Sequence, residues 1–213
     1  MLRSLITVLL LLALTAGAQP KFVTETREYI PRAADSYKRN FIRIHRHYFG
    51  MDAPIALLAA QIHQESAWNQ RAKSKYASCL SQLTPETEQW LKTNFSKYLA
   101  GEGGIMNPVF CIKAQGLYTR WLGTKIVAND ECHKWSFILA SYNGGHGWTL
   151  RDKNLAEQKG LDRNAWWDNV ELHSDRADWA FEENRGYPRK IIGELQLLYK
   201  DWGRNLPLVC GTG

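Results

Sequence analysis

Glu65 is the side chain in this sequence best placed to move a proton. Ile55, Leu58, Ile62 and Glu65 follow at steps of three, four and three, which puts them on one face of a helix. A carboxylate that continues an apolar stripe near a helix end is desolvated. Desolvation raises its pKa and favours the protonated form that a general acid needs. On this feature alone, the alternative is a salt-bridged or rim glutamate. His63 lies two residues before Glu65, faces away from it and reads as structural. The six His show no HExxH or other ligand spacing, so neither a metal nor a cofactor is expected.

Three further clusters accompany Gln64-Glu65-Ser66. Cys79-Leu80-Ser81-Gln82 follows after a short loop. Ser141-Tyr142-Asn143-Gly144-Gly145 ends a buried segment, and Glu183-Asn184-Arg185-Gly186-Tyr187 precedes the last apolar one. Gln82 and Asn143 carry amides able to bind polar groups of a ligand, or to hold their own turns. Glu183 would support the centre or pair with a base such as Arg185. Ser66 would assist Glu65 or bond locally at its helix end. Tyr187 would line a groove or pack in the core.

In this order the four clusters resemble the lysozyme-like lytic transglycosylases of the soluble-lytic-transglycosylase (SLT) type, over roughly residues 50 to 200. Glu65-Ser66 is similar to that family's catalytic Glu-Ser pair. Residues 79–82 resemble its Gly-Leu-Met-Gln element, 141–145 its Ala-Tyr-Asn-Ala-Gly element and 183–187 its Glu-Thr-Arg-x-Tyr element. The chain departs from the pattern at Cys79 (for Gly), Ser81 (for Met), Gly144 (for Ala), Asn184 (for Thr) and Pro188 (for a β-branched residue). The resemblance implies cleavage of the β-1,4 bond between N-acetylmuramic acid and N-acetylglucosamine in peptidoglycan glycan strands. Glu65 would act first as acid and then as base, Tyr142 would hydrogen-bond and place it, and the product would be a 1,6-anhydromuramyl end. Ser66 to Ser81 contains no Asp, which favours one-carboxylate chemistry over a two-carboxylate hydrolase. The alternatives are a lysozyme- or chitinase-type hydrolase on the same fold and a non-catalytic glycan-binding component of an envelope-spanning apparatus.

The elements that must position these residues read as helices. One spans roughly 31 to 48. Another starts at Asp52-Ala53-Pro54, with Asp52 as N-cap and Pro54 in the first turn, and runs towards Trp68. Thr84-Pro85 and Asn107-Pro108 each open a helix. Residues 133 to 142 form a buried one, and 188 to 202 a late one. Alternating strand patterns are scarce. The expected fold is all-α, a lysozyme-like (goose-type lysozyme/SLT) domain over 50–205. An N-terminal helical segment at 19–49 and a tail at 206–213 flank it. An irregular Trp-rich insertion covers 146–182. It holds Trp148, Trp166, Trp167 and Trp179, and Trp166 and Trp167 are candidates for sugar stacking.

Composition frames this reading. The chain has 213 residues, 45 % of them hydrophobic, enough for one well-formed core. Residues 1–18 carry Arg3, an apolar run from Leu5 to Leu14 and Ala16-Gly17-Ala18, the plan of a secretory signal peptide; an uncleaved anchor is the alternative. The run is short for a membrane span, which needs about 20 residues. Its removal takes only Arg3 among charged side chains and leaves 26 basic against 21 acidic groups, a net +5. Scattered Lys and Arg without a nucleic-acid motif exclude a nucleic-acid binder and favour an anionic wall polymer. The expected location is periplasmic or secreted, without a stable membrane span after signal cleavage, and a monomer is expected. A secretion, conjugation, pilus or phage apparatus is the kind of partner that would use local wall opening. In an exported chain, Cys79, Cys111, Cys132 and Cys210 suggest two disulfides with three possible pairings, or some free buried thiols.

Overall fold

The computed structural model describes residues 29–204 and 206–211. The expected signal peptide, and residues 19–28 of the expected N-terminal segment, lie outside them. Eight helices carry most of the described chain: α1 (Ala33–Phe49), α2 (Ile55–Ser66), α3 (Pro85–Asn94), α4 (Ser96–Leu99), α5 (Pro108–Lys125), α6 (Glu131–Gly144), α7 (His146–Gln158) and α8 (Asp178–Lys190). No strand occurs among the described residues. Isolated antiparallel bridges pair Lys73 with Ser78 and Ser78 with Leu83. The all-α expectation holds.

Caps set several helix starts. The Thr84 hydroxyl accepts from the Thr87 N–H at 3.2 Å, and Pro85 fills the first helical position. Asn107 Oδ1 accepts from the Val109 N–H at 2.9 Å, ahead of Pro108. Asp130 Oδ1 accepts from the His133 N–H at 2.8 Å. Asp52 does not cap as expected. Pro54 occupies the cap position of α2, no side chain caps there, and the Ile55 N–H turns back to the Ala53 carbonyl at 2.7 Å.

α2 is the axis of the fold. Every residue from Ile55 to Ile62 is buried, so the apolar stripe is one part of a helix enclosed all round. It packs on α1 and on the chain following α8. Its buried polar position, Gln61, accepts from Gln115 Nε2 at 2.8 Å, and Gln115 also donates to the Leu58 carbonyl at 3.0 Å. Beyond the end of α2, Trp68 is fully buried and donates its indole N–H to the Tyr199 hydroxyl at 2.7 Å. Tyr199 in turn meets His63 Nδ1 at 2.9 Å, which accounts for His63 as a structural residue.

Two expectations about the second half change. The late helix does not start at Pro188. α8 begins ten residues earlier and contains Pro188, then continues through one π turn at Ile191–Leu195, a short α segment at Gln196–Leu198 and a 3-10 turn at Lys200–Gly203. The 146–182 insertion is not irregular throughout, because α7 and a 3-10 turn at Val170–Leu172 occupy much of it. Trp166 and Trp167 within it are core residues, 0 % and 3 % exposed. Trp166 packs edge-on to Phe137 of α6 at 5.3 Å, and the Arg185 guanidinium covers its ring. They offer no face to a sugar.

Both disulfides form: Cys79 with Cys111, and Cys132 with Cys210. The first fastens the loop after α2 to α5. The second fastens the start of α6 to the C-terminal segment, where Gln196 Nε2 also donates to the Val209 carbonyl at 2.7 Å.

Candidate active site

Glu65 stands on the last turn of α2, at the floor of a cleft of about 460 Å³. Gln82, Tyr142, Asn143 and Glu183 line the same cleft, so all four sequence clusters converge on it. A larger cavity of about 760 Å³ lies elsewhere, between α5, α6 and the C-terminal segment, and no residue of the four clusters lines it.

Part of the Glu65 side chain opens on the cleft, but protein atoms crowd its carboxyl. Burial pushes its pKa up to about 8. The Tyr187 hydroxyl donates to Glu65 Oε1 and opposes that shift, whereas the negative charge of Glu183 adds to it. Among the described residues, no cation contributes to the shift. Glu65 therefore keeps its proton at neutral pH beside a solvent-filled cleft, which is the condition for a general acid.

The residue holding Glu65 is Tyr187, not Tyr142. Tyr142 instead donates to the Ser81 carbonyl at 2.9 Å, which draws the loop after α2 onto α6. Burial and the negative charge of Glu65 raise both tyrosines well above the usual phenol range, so both hydroxyls stay protonated donors. Tyr187 lies on α8, which packs on α6, and its hydroxyl reaches across to Glu65 at the end of α2. Of the two places the sequence allows it, groove or core, Tyr187 takes the core, and its hydroxyl alone reaches the site.

The loop wall is shaped by residues in the left-handed backbone region. Cys79 has φ 71° and Gln82 φ 44°. Glycine adopts that conformation without penalty, so Cys79 in place of the family's Gly is strained locally. The Cys79–Cys111 disulfide and the Ser81 hydroxyl, which donates to the Cys111 carbonyl at 2.7 Å, fasten the turn to α5. Gln82 holds its own turn: Nε2 donates to the Cys79 and Ala72 carbonyls at 3.0 and 3.2 Å. Ser66 closes the helix end, donating to the Ile62 carbonyl at 3.2 Å and the Leu80 carbonyl at 2.8 Å. Both residues shape the cleft through backbone contacts.

On the opposite wall Glu183 does not pair with Arg185. Arg185 is turned inward to Asp152 at 3.0 Å, while Glu183 Oε1 accepts from Asn143 Nδ2 at 3.4 Å. Asn143 Oδ1 accepts from Asn184 Nδ2 at 3.0 Å, and Asn184 Oδ1 accepts from Arg185 at 2.7 Å. The insertion joins this chain of contacts: Arg176 donates to the Gly144 carbonyl at 3.2 Å and pairs with Asp152 at 3.2 Å. A Cβ at position 144 would lie 2.1 Å from Arg176 Nη1, so glycine there makes room for the insertion's arginine. Sequence reasoning missed Tyr118 and Thr87 of the cleft. Tyr118 sits three residues before Trp121 and shares its helical face, which is a readable signal.

The profile of the transglycosylase SLT domain matches residues 51–165, more than half the chain. The chain belongs to this family. Its SLT match contains Glu65, Gln82, Tyr142 and Asn143; Glu183 and Tyr187 lie beyond it in sequence yet contribute to the same site. Several curated relatives are named membrane-bound lytic murein transglycosylase F. That of Shewanella woodyi is 32 % identical over 158 residues, covering 70 % of this chain and 29 % of its own. That of Pasteurella multocida is 32 % identical over 148 residues, covering 68 % and 27 %. That of Aliivibrio fischeri is 31 % identical over 192 residues, covering 81 % and 37 %. The chain thus spans well under half the length of these relatives. No helix among the described residues of this SLT protein is long and apolar enough to cross a membrane.

Proposed function

We propose that this chain is a peptidoglycan lytic transglycosylase that cleaves the β-1,4 bond between N-acetylmuramic acid and N-acetylglucosamine. The observation that carries this reading is the Glu65 carboxyl, protonated at neutral pH on a cleft in an SLT-family chain. Glu65 gives its proton to the glycosidic oxygen as the C1–O bond breaks, and the N-acetyl group of the muramic acid assists at C1. The carboxylate then takes the proton of the muramic acid 6-hydroxyl, whose oxygen attacks C1 and closes the 1,6-anhydro ring. One carboxyl serves both steps and ends as it began. Tyr187 steadies the carboxylate between them by donating its hydroxyl.

A two-carboxylate hydrolase draws on one observation, the presence of Glu183 on the same cleft. Mass spectrometry of fragments released from peptidoglycan separates the readings. The transglycosylase gives 1,6-anhydromuramyl ends, with or without a Glu183→Gln substitution. Reducing ends, lost in Glu183→Gln, would establish the hydrolase instead.

The catalytic domain would extend over residues 50–205, with Ser66, Gln82, Tyr142, Asn143, Glu183 and Tyr187 supporting Glu65. The two disulfides and the N-terminal sequence support action in the periplasm or outside the cell. A secretion, conjugation, pilus or phage apparatus is a setting in which such an enzyme would open the wall locally.

A further inference from the structure

An aromatic recess of about 280 Å³ adjoins the catalytic cleft. Trp90 of α3, Tyr118 and Trp121 of α5, and His146 at the start of α7 form its walls, with Thr87 and Glu86 at its edge. Thr87 and Tyr118 line both the recess and the cleft, so the two lie side by side and share these residues as a wall. The volume is near the lower end of the roughly 300–1,000 Å³ typical of small-ligand sites.

The rings form an ordered concave surface. Trp90 meets Trp121 edge-on at 4.8 Å, and Trp121 lies nearly parallel to Tyr118 at 5.8 Å. Tyr118 in turn contacts Tyr142 of the cleft at 5.3 Å. Trp90, Tyr118 and Trp121 are half-buried, although a pure core role would enclose side chains of this size. The Lys125 ammonium lies 5.8 Å from the Trp121 ring centre, and an exposed contact of that kind is worth only about 0.5–1 kcal/mol. A ligand can displace it.

The recess suits an uncharged ligand. Burial, together with the nearby Lys125 and Lys153 ammonium groups, holds His146 below its ordinary pKa and uncharged at neutral pH. Glu86 is exposed at the edge, where it can accept from hydroxyl groups and repels a carboxylate. Flat apolar rings with a hydroxyl acceptor beside them match the C–H face and hydroxyl edge of a neutral pyranose.

We propose that this recess is a distal subsite that stacks an N-acetylglucosamine ring of the same glycan strand that occupies the cleft. The proposal rests on the glycan-cleaving reading of the cleft. It makes recognition depend on strand length, because a short oligosaccharide fills the cleft without reaching Trp121.

Binding separates the two readings. The probes are β-1,4-linked N-acetylglucosamine di- and hexasaccharides, added to the full chain carrying Glu65→Gln to prevent turnover. Indole N–H signals are followed by nitrogen-15 NMR. The hexasaccharide should shift the Trp90 and Trp121 signals; the disaccharide should perturb the cleft and leave both in place. Trp121→Leu and, independently, Trp90→Leu should each weaken hexasaccharide binding about tenfold and leave disaccharide binding unchanged. A hexasaccharide that binds the cleft without shifting either indole overturns the subsite alone, a result that needs no substitution in the recess. Equal weakening of both probes, or of neither, in folded variants also overturns it. Absence of binding by either probe overturns the glycan-cleaving reading, and the subsite with it.

Discussion

Glu65 and Asp152 are both enclosed carboxyl groups, and the fold treats them in opposite ways. Asp152 is 1 % exposed and accepts from Ser174 Oγ at 2.7 Å, Arg185 at 3.0 Å and Arg176 at 3.2 Å. Its charge is matched by two arginines that are themselves nearly buried. Among the described residues no cation contributes at Glu65; the Tyr187 hydroxyl donates to it, and it opens on a cleft. Pairing makes one carboxylate a rivet; isolation makes the other an acid. The two are linked. The Asp152 cluster holds Arg176 and Arg185, Arg185 holds Asn184, and Asn184 holds Asn143 on the wall facing Glu65.

The largest effect should come from removing the acid. Glu65→Gln should lower peptidoglycan cleavage about 10²–10⁴-fold while the fold is retained, because an amide cannot donate that proton usefully. Fragment release assayed beside a circular dichroism spectrum checks this. Full activity in the variant would break the assignment.

Removing the rivet should act on stability instead. Asp152→Ala leaves two buried guanidinium groups unmatched and should cost about 3–5 kcal/mol in urea unfolding. A loss below about 1 kcal/mol would mean that solvent, not Asp152, satisfies those arginines.

Glu65→Gln should shift stability the other way, and only at higher pH. Below the ordinary value of 4.5 the glutamate is protonated both folded and unfolded. Between 4.5 and about 8 the unfolded chain releases the proton and the folded chain keeps it, so native stability falls as pH rises through that window. The glutamine variant escapes this loss. Its advantage over the native protein should grow from near zero at acid pH to about 2–4 kcal/mol above the window, read from urea unfolding across pH. A constant difference would contradict a protonated Glu65.

Two smaller effects sharpen the comparison. Tyr187→Phe removes a hydrogen bond that favours the carboxylate form. The Glu65 pKa should rise further, and the alkaline limb of activity should move up by about one pH unit. Gly144→Ala restores the residue usual in the family but places a Cβ 2.1 Å from Arg176 Nη1. Arg176 must shift, and thermal unfolding should show a loss of about 1 kcal/mol. That loss should shrink but not vanish in an Arg176→Ala background, because Asn184 Nδ2 still lies 2.5 Å from the added Cβ.

Local pattern carried much of this. The periodicity of Ile55, Leu58 and Ile62 placed Glu65, and the Thr84-Pro85 and Asn107-Pro108 starts are real caps. Contacts between distant segments were less legible. Tyr142 and Tyr187 both carry a hydroxyl in a family element, and only the packing of distant segments decides that Tyr187 reaches Glu65 while Tyr142 turns to the Ser81 carbonyl. Trp166 and Trp167 sit in a polar stretch whose burial follows from α6 and α8 closing over them. The disulfide pairing depends on which elements are neighbours, as α5 is to the loop after α2. The fit of Gly144 to Arg176, 32 residues on, leaves no mark in local pattern.

The central claim is that Glu65 is an acid held protonated by its surroundings. The direct test is a carbon-13 NMR titration of the Glu65 side-chain carboxyl in the intact protein, with Glu65→Gln used to assign the signal. The midpoint should fall near pH 8. A midpoint in the ordinary glutamate range, about 4.3, would contradict the account.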